Sequence, residues 1–248
     1  MLQQSETGSF GKTQAAEEGE FLLPGESVEE LFEGNLKIIQ NKELYRFTSD
    51  SILLTRFCRA RKGDVVADLC AGSGVVGLHF YGLHPQIASV TMFEMQEELS
   101  QMSERSVRLN ALTNFKAVCC KLQEIPKEYC EKFSVALCNP PYERGGFAKE
   151  DYKKAICRKE ITLTLPELAA AASRVLKCGG RFALVHRADR LAEVFYHLKA
   201  HSLEPKRLQF VRGREGAKPY LILAEAVKCG REGLEILPDQ INVRGEHF

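Results

Sequence analysis

Two acidic residues and a group of glycines have the spacing of a nucleotide-binding turn. The apolar run Val65–Leu69 leads into the segment DLCAGSG at residues 68–74, and glycines let backbone N–H groups approach a ligand closely. Glu94 stands twenty residues after Gly74, at the end of the next apolar run. A carboxylate there typically accepts hydrogen bonds from ribose hydroxyls. The spacing therefore predicts a nucleotide site formed by Asp68, Gly72, Gly74 and Glu94.

Two classes of nucleotide ligand fit such a turn. Gly72-x-Gly74-x-x-Gly77 matches the spelling of dinucleotide-binding turns, which hold a pyrophosphate. A carboxylate at Asp68 repels pyrophosphate but suits the cationic methionine end of S-adenosylmethionine. This favours S-adenosyl-L-methionine as the cofactor. The alternative interpretation is a glycine turn that only packs a helix against a strand.

A second candidate site is the sequence Asn139-Pro140-Pro141-Tyr142, which follows the apolar run at residues 134–138. Two prolines cannot continue a strand, so they fix the backbone where it leaves the sheet. The Asn139 amide oxygen and the Pro140 carbonyl can both accept hydrogen bonds, and the Tyr142 ring offers a face for stacking. Two acceptors can orient a planar, weakly nucleophilic amine without a strong base. In isolation the string could be an ordinary turn; beside a cofactor turn it indicates catalysis.

Strands alternate with helices from residue 64 onward, which predicts a largely parallel sheet covered on both faces. We predict strands at 65–69, 89–93, 115–119, 134–137 and 181–185, with residues 208–211 and 220–226 as a closing antiparallel pair. Ser49-Asp50 is expected to cap a helix over 51–58. Thr164 begins a capping box for a helix that runs to Leu176 and is stopped by Gly179-Gly180. Ligands of such sheets bind at the carboxyl ends of the strands, where both candidate sites lie.

Composition fits a folded chain with an uneven distribution of charge. The 248 residues are 44% hydrophobic and carry a net charge of +1. Residues 1–34 hold eight Glu and one Lys, so the rest of the chain carries an excess of positive charge. We interpret residues 1–20 as a flexible acidic tail and residues 21–248 as one domain with a short N-terminal extension. The basic body is weak evidence for a polyanionic partner, and a solvated charged surface explains it equally well.

The pattern Asp-x-x-x-Gly-x-Gly with a second acid resembles the Rossmann-like S-adenosylmethionine-dependent methyltransferases. The tetrapeptide at 139–142 resembles that of enzymes that methylate the exocyclic amine of adenine or a glutamine amide. Further similarity lies at 39–40, 46–54, 158–160, 179–187 and 205–207. Together these segments resemble the bacterial tRNA(Val) adenine N6-methyltransferase family over about residues 30–240. The resemblance implies a class I methyltransferase fold, with a mostly parallel seven-stranded sheet and an antiparallel last strand.

The same resemblance implies roles for individual residues. Asp68, Gly72, Gly74 and Glu94 would hold S-adenosylmethionine, and Ser49-Asp50 would cap its methionine end. Asn139, Pro140 and Tyr142 would hold the target amine. The chain departs from the family at Cys70, where relatives usually have Gly, and at 119–123, where many have an acid that contacts the cofactor's adenine ring.

Basic segments after the second site suggest where RNA would bind. Phe147, Arg158 and Arg187 are candidate substrate-binding residues, and further phosphate contacts are expected from Arg190, Lys206, Arg207, Arg212 and Arg214. A base held in structured RNA must leave its stack to reach Asn139, and Tyr142 or Phe147 could replace the lost stacking.

Three functions remain open from the sequence. The first is methylation of adenine N6 in structured RNA, with tRNA as the expected substrate. The second is methylation of a protein glutamine, and the third is a non-catalytic module that binds cofactor or RNA. No cluster has metal-ligand spacing, no apolar run is long enough for a membrane span, and scattered thiols suit a reducing cytosol. We therefore expect a cytoplasmic protein without metal; the sequence leaves its oligomeric state open.

Overall fold

The computed structural model describes residues 18–31, 33–42, 44, 48–141 and 163–242. The strands in this part of the chain are β1 (Glu26–Leu31), β2 (Leu36–Asn41), β3 (Val65–Leu69), β4 (Ser89–Glu94), β5 (Phe115–Cys119), β6 (Phe133–Cys138), β7 (Leu176–Arg187), β8 (Leu203–Arg212), β9 (Leu221–Lys228), β10 (Glu235–Ile236) and β11 (Gln240–Ile241). The α-helices are α1 (Ser49–Phe57), α2 (Val75–Leu83), α3 (Glu97–Leu109), α4 (Leu165–Val175) and α5 (Leu191–Ala200).

The main sheet has the predicted architecture. Its order is β10-β8-β9-β7-β6-β3-β4-β5, with the short β11 also paired to β8. β3 pairs in parallel with β4 and β6, and β4–β5 and β6–β7 are parallel too. β9 lies antiparallel between β7 and β8. The expected seven strands with an antiparallel last long strand are therefore confirmed, and β10 and β11 add two short edge strands that the sequence did not predict.

Alternation along the central strands explains why helices cover both faces. On β3, Ala67 and Leu69 pack in a cluster with residues of α4 and α5, whereas Val66 packs in the cluster that contains residues of α1 and α2. Side chains of a strand point alternately to opposite faces, so an unbroken apolar run is the signature of a strand buried on both sides. This arrangement places the ends of β3, β4 and β6 at one edge of the sheet.

Helix α4 ends within one residue of its predicted limit at Leu176, but the predicted stop signal, Gly179-Gly180, is wrong. The helix begins as expected, with the capping box of Thr164 and Glu167, but it ends at Val175. Leu176 is already extended and pairs with Phe133, and the residues up to Arg181 bulge out before pairing resumes with Val135. The glycine pair at 179–180 therefore belongs to this bulge within β7, because the chain already pairs with β6 at Leu176, before the glycines.

The start of α1 also differs from the prediction. Thr48, rather than Ser49-Asp50, is the N-cap, and its Oγ1 accepts a hydrogen bond from the Asp50 N–H at 3.4 Å. The helix therefore begins at Ser49, two residues earlier than expected. This shift brings Ser51 into the third position of the helix, where it faces the carboxyl edge of the sheet.

The hairpin of β1 and β2 packs beside the sheet as an N-terminal extension. Its turn approaches the end of α2 so closely that a Cβ atom on Gly34 would lie 2.6 Å from the Cα of Gly82. Glu26 and Arg105 join the hairpin to α3 by a buried ion pair, with 2.5 Å between Oε2 and Nη1. The hairpin is thus held rigidly against the elements that carry the glycine turn.

Candidate active site

A cleft with an empty volume of about 760 Å³ opens at the carboxyl edge of the sheet. Three segments that border it come from the ends of neighbouring parallel strands: the turn after β3, the end of β4 and the loop after β6. Representative bordering residues are Gly72, Ser73, Glu94, Gln96, Asn139 and Pro141. The two candidate sites of the sequence therefore face one common cleft.

Glu94 closes the glycine turn from the β4 side. Its Oε2 accepts a hydrogen bond from the Gly72 N–H and its Oε1 accepts one from the Gln96 N–H, both at 2.9 Å. Burial raises the pKa of Glu94, and these backbone donors oppose that effect. Each carboxylate oxygen has a second lone pair, so the group can still accept hydrogen bonds from a ligand in the cleft.

Asp68 lies behind the turn and is fully buried. Its Oδ2 accepts a hydrogen bond from the Gly77 N–H at 2.8 Å, while its Oδ1 has no hydrogen-bond partner among the described residues. Burial raises the pKa of Asp68 to about 8, and the charge of Glu94 acts in the same direction. In this position the carboxyl group supports the first turn of α2, and its direct contact with a cofactor stays a prediction.

The turn itself depends on left-handed backbone at three positions. Gly72 and Gly74 have φ of 57° and 90°, and Cys70 has φ of 59°. A Cβ atom on Gly74 would lie 2.9 Å from the Met92 sulfur, whereas one on Gly72 would meet nothing within 4 Å. Gly74 is therefore required by packing below the turn, and Cys70 adopts a left-handed conformation that favours glycine.

Asn139 stands at the end of β6 with its side chain anchored. Its Nδ2 donates a hydrogen bond of 3.0 Å to the Oγ of Ser51, a buried residue of α1 that also borders the cleft. Pro140 is buried beside it. Tyr142, Phe147 and Arg158 lie outside the described residues, so their predicted roles remain predictions.

Ser49, Asp50 and Arg187 are not among the residues that line the cleft. Ser49 accepts a hydrogen bond from the Asn242 side chain at 3.3 Å, and Asp50 follows it in the first turn of α1. The residue of this helix that borders the cleft is Ser51, two residues beyond Ser49. Arg187 lies at the carboxyl end of β7, exposed and paired with Asp189.

Two of the arginines expected to contact phosphate are turned inward. The Arg190 side chain is 6% exposed and pairs with Glu193. Arg207 is 11% exposed, lies over the Phe57 ring and pairs with Glu225 at 3.6 Å. Arg190 lies at the start of α5 and Arg207 lies within β8, and both side chains are packed inward there. The expectation of surface phosphate contacts is therefore wrong for both. Arg214, by contrast, is exposed in the loop after β8.

Ser51 and a Gln40–Ser73 contact were not predicted. Gln40 on β2 is almost fully buried, and its Nε2 donates a hydrogen bond of 2.6 Å to the Oγ of Ser73 in the glycine turn. Both contacts join residues far apart in sequence. The sequence offers only an indirect signal, because Gln40 and Ser51 each flank an apolar run and lie in the family-like segments 39–40 and 46–54.

The model of a family described as methyltransferase small domain matches residues 47–202, more than half of the chain. The chain belongs to this family. The methyltransferase small domain is thus centred on the sheet and includes both the glycine turn and the Asn139 loop. A methyltransferase is an enzyme, so the non-catalytic alternative is set aside.

Curated relatives carry a more specific name at lower similarity. The tRNA1(Val) (adenine(37)-N6)-methyltransferase of Porphyromonas gingivalis is 32% identical over 95 residues, which are 38% of this chain and 37% of that protein. The enzyme of the same name from Shewanella sediminis is 23% identical over 178 residues, 70% of this chain and 72% of that protein. The match therefore spans little more than a third of the Porphyromonas relative.

Solved structures show the same fold. A predicted O-methyltransferase from Agrobacterium tumefaciens has a TM-score of 0.64 at 20% identity, covering 80% of this chain and 90% of that one. The M. jannaschii tRNA m1G37 methyltransferase has a TM-score of 0.57 at 11% identity, covering 84% and 58%. A geranyl diphosphate methyltransferase in complex with S-adenosylmethionine has a TM-score of 0.52 at 12% identity, covering 73% and 84%.

The cleft fits S-adenosylmethionine, the cofactor of the family. Backbone N–H groups and Glu94 line one side, and apolar residues such as Val76, Phe93 and Leu122 line another, as a ligand with both polar and apolar parts requires. Within the segment 119–123, Lys121 and Gln123 border the cleft.

The described residues form neither a metal-binding cluster nor a helix suited to crossing a membrane. No group of three or more His, Cys, Asp or Glu side chains there has a metal-binding arrangement. No helix formed by those residues is long and apolar enough to cross a membrane.

Proposed function

We propose that this enzyme transfers a methyl group from S-adenosylmethionine to the exocyclic N6 amine of an adenine in structured RNA, with tRNA as the substrate. The observation that carries the proposal is the position of Asn139, which borders the same cleft as Gly72 and Glu94 and has its side chain already anchored. The names of the relatives from Porphyromonas and Shewanella point to the same substrate.

The chemistry follows from the electronic structure of the amine. The N6 lone pair of adenine is delocalised into the ring, so the nitrogen is a weak nucleophile. The Asn139 Oδ1 and the Pro140 carbonyl would accept hydrogen bonds from the two N–H groups and hold the lone pair in line with the methyl carbon. When bound, S-adenosylmethionine supplies a methyl group activated by a sulfonium. The N6 nitrogen would form the new N–C bond as the methyl–sulfur bond breaks; the electron pair of that bond would stay on the sulfur as a neutral thioether, and the cationic amine would release one proton to water.

RNA contacts are proposed along the same sheet edge. Leu221 pairs with both Arg187 and Val211, so the loop between β8 and β9 lies at the carboxyl end of β7. This loop carries the exposed residues Arg214 and Lys218. Removing both positive charges should lower RNA affinity and reduce the slope of log affinity against log salt by about 1 to 2. The matched control is Lys132→Ala, because Lys132 is exposed at the opposite edge, just before β6.

The deciding experiment is incubation with labelled S-adenosylmethionine and either total tRNA or a protein extract. The proposal predicts label in N6-methyladenosine of tRNA and its loss in Asn139→Ala, with cofactor affinity retained. Label in protein glutamine and none in RNA would transfer the assignment to the glutamine methyltransferases. Undiminished RNA labelling by Asn139→Ala would refute the mechanism.

A further inference from the structure

We propose that Ser51 is a positioning residue for methyl transfer, and that its hydroxyl fixes the plane of the Asn139 carboxamide. The inference rests on the proposed function of Asn139. It assigns to α1, which follows no strand of the main sheet, a direct part in orienting the amine acceptor.

The contact is short, buried and non-local. The Asn139 Nδ2 donates to the Ser51 Oγ at 3.0 Å, and Ser51 is 2% exposed although it borders the cleft. The N–H₂ and the oxygen of a carboxamide lie in one plane and point away from each other, on either side of the Cβ–Cγ bond. With Nδ2 directed at α1, Oδ1 is turned away from α1 and is free to accept a hydrogen bond from an amine.

The hydroxyl is attached to a rigid support. Thr55 lies one turn after Ser51, and its Oγ1 lies 2.8 Å from the Ile52 carbonyl oxygen and 2.7 Å from the Nδ1 of His79 on α2. Thr55 and His79 are both almost fully buried. Helix α1 is therefore fixed to α2 one turn after Ser51, which holds the backbone of Ser51 in place relative to the sheet.

The physical need for this support lies in the freedom of an asparagine side chain. The terminal torsion of Asn has broad, roughly two-fold preferences, so an unsupported amide turns readily. A serine hydroxyl can accept or donate a hydrogen bond, so Ser51 fixes the plane of the Asn139 amide in either orientation. The substrate amine needs an acceptor and therefore favours the orientation in which Oδ1 points into the cleft. Without Ser51 the acceptor would spend part of its time out of line with the amine.

The first test requires no RNA. The side-chain amide protons of Asn139, assigned by their absence from the spectrum of Asn139→Ala, should exchange with water faster in Ser51→Ala by about two- to tenfold, the range set by loss of one hydrogen bond. The control is Ser103→Ala, the same substitution at a buried hydroxyl on α3, which donates to the Ser100 carbonyl of its own helix. Equal exchange in wild type and Ser51→Ala would overturn the proposal.

The second test is kinetic. Ser51→Ala should lower kcat for RNA methylation by about two- to tenfold while cofactor affinity and the KM for RNA stay unchanged, and Ser51→Thr should restore most of the rate. In an Asn139→Ala background, Ser51→Ala should have no further effect. A drop in kcat of the same size in Ser103→Ala would assign the effect to the loss of any buried hydroxyl and overturn the positioning role. Absence of RNA methylation by the wild type would instead refute the proposed function, and the exchange measurement would still decide the contact.

Discussion

Asp68→Asn tests whether the fully buried carboxyl behind the glycine turn is protonated in the folded enzyme. Asn has nearly the same shape, and its Oδ1 can accept the hydrogen bond that the Gly77 N–H now donates to Asp68. The variant therefore removes the ionisable group and leaves the packing and this hydrogen bond in place.

The expected size follows from the two pKa values. Asp68 titrates near 3.8 in its ordinary environment and at about 8 in the folded protein, chiefly because of burial. Between these values the unfolded chain has lost the proton and the folded chain keeps it. Folding must then take up a proton, so the free energy of unfolding falls by about 1.4 kcal/mol for each unit of rising pH. From pH 5.5 to pH 7.5 the loss is roughly 2 to 3 kcal/mol.

The assay is urea denaturation of wild type and Asp68→Asn at a series of pH values between 5 and 8, without cofactor. Contributions from other groups are common to both proteins and cancel in the difference. Relative to the wild type, Asp68→Asn should gain roughly 2 to 3 kcal/mol between pH 5.5 and 7.5. Parallel pH profiles for the two proteins would refute the argument that Asp68 is held protonated.

Four further changes follow from the turn and the tail. Gly74→Ala should destabilise the protein by at least about 1 kcal/mol more than Gly72→Ala in denaturation experiments, since only the Cβ at 74 is crowded. Glu94→Gln should weaken S-adenosylmethionine binding about 10- to 100-fold by calorimetry, because it replaces a charged acceptor; unchanged affinity would exclude Glu94 from the site. Cys70→Gly should change the free energy of unfolding by less than about 1 kcal/mol, whereas Cys70→Val should lower it by about 1 to 3 kcal/mol, because a β-branched side chain is strained at φ of 59°. Deletion of residues 1–17 should leave methyl transfer and RNA affinity intact; weaker RNA binding would give the acidic tail a role.

Local sequence predicted those elements whose boundaries depend on local signals. The strands at 65–69 and 115–119 are at their predicted positions because apolar runs and flanking turns define them. The stop signal of α4 was mispredicted because a tertiary contact, the pairing of Leu176 with Phe133, ends the helix before Gly179-Gly180. The start of α1 was mispredicted for a local reason. Thr48, Ser49 and Asp50 are adjacent, and all three are residue types that can cap a helix.

The candidate site divides in the same way. Its strand-end residues, Glu94 and Asn139, could be predicted because parallel strands bring their carboxyl ends to one edge. The groups that hold them could not: Ser51 reaches Asn139 across 88 residues of sequence, and Gln40 reaches Ser73 across 33. Nor does spacing distinguish an acid that borders the cleft from one behind it, which is the difference between Glu94 and Asp68.

The positive charge of the chain can be related to RNA binding only when the fold shows which basic residues are exposed. Beyond residue 34 the chain has an excess of positive charge, but Arg181, Arg190 and Arg207 are largely buried against Asp64, Glu193 and Glu225. Each such pair is neutral, so the excess must be carried by other residues. At the carboxyl edge of the sheet the exposed basic residues of the described chain include Arg214 and Lys218. The salt dependence of RNA binding should therefore respond to these two residues and not to Arg190 or Arg207.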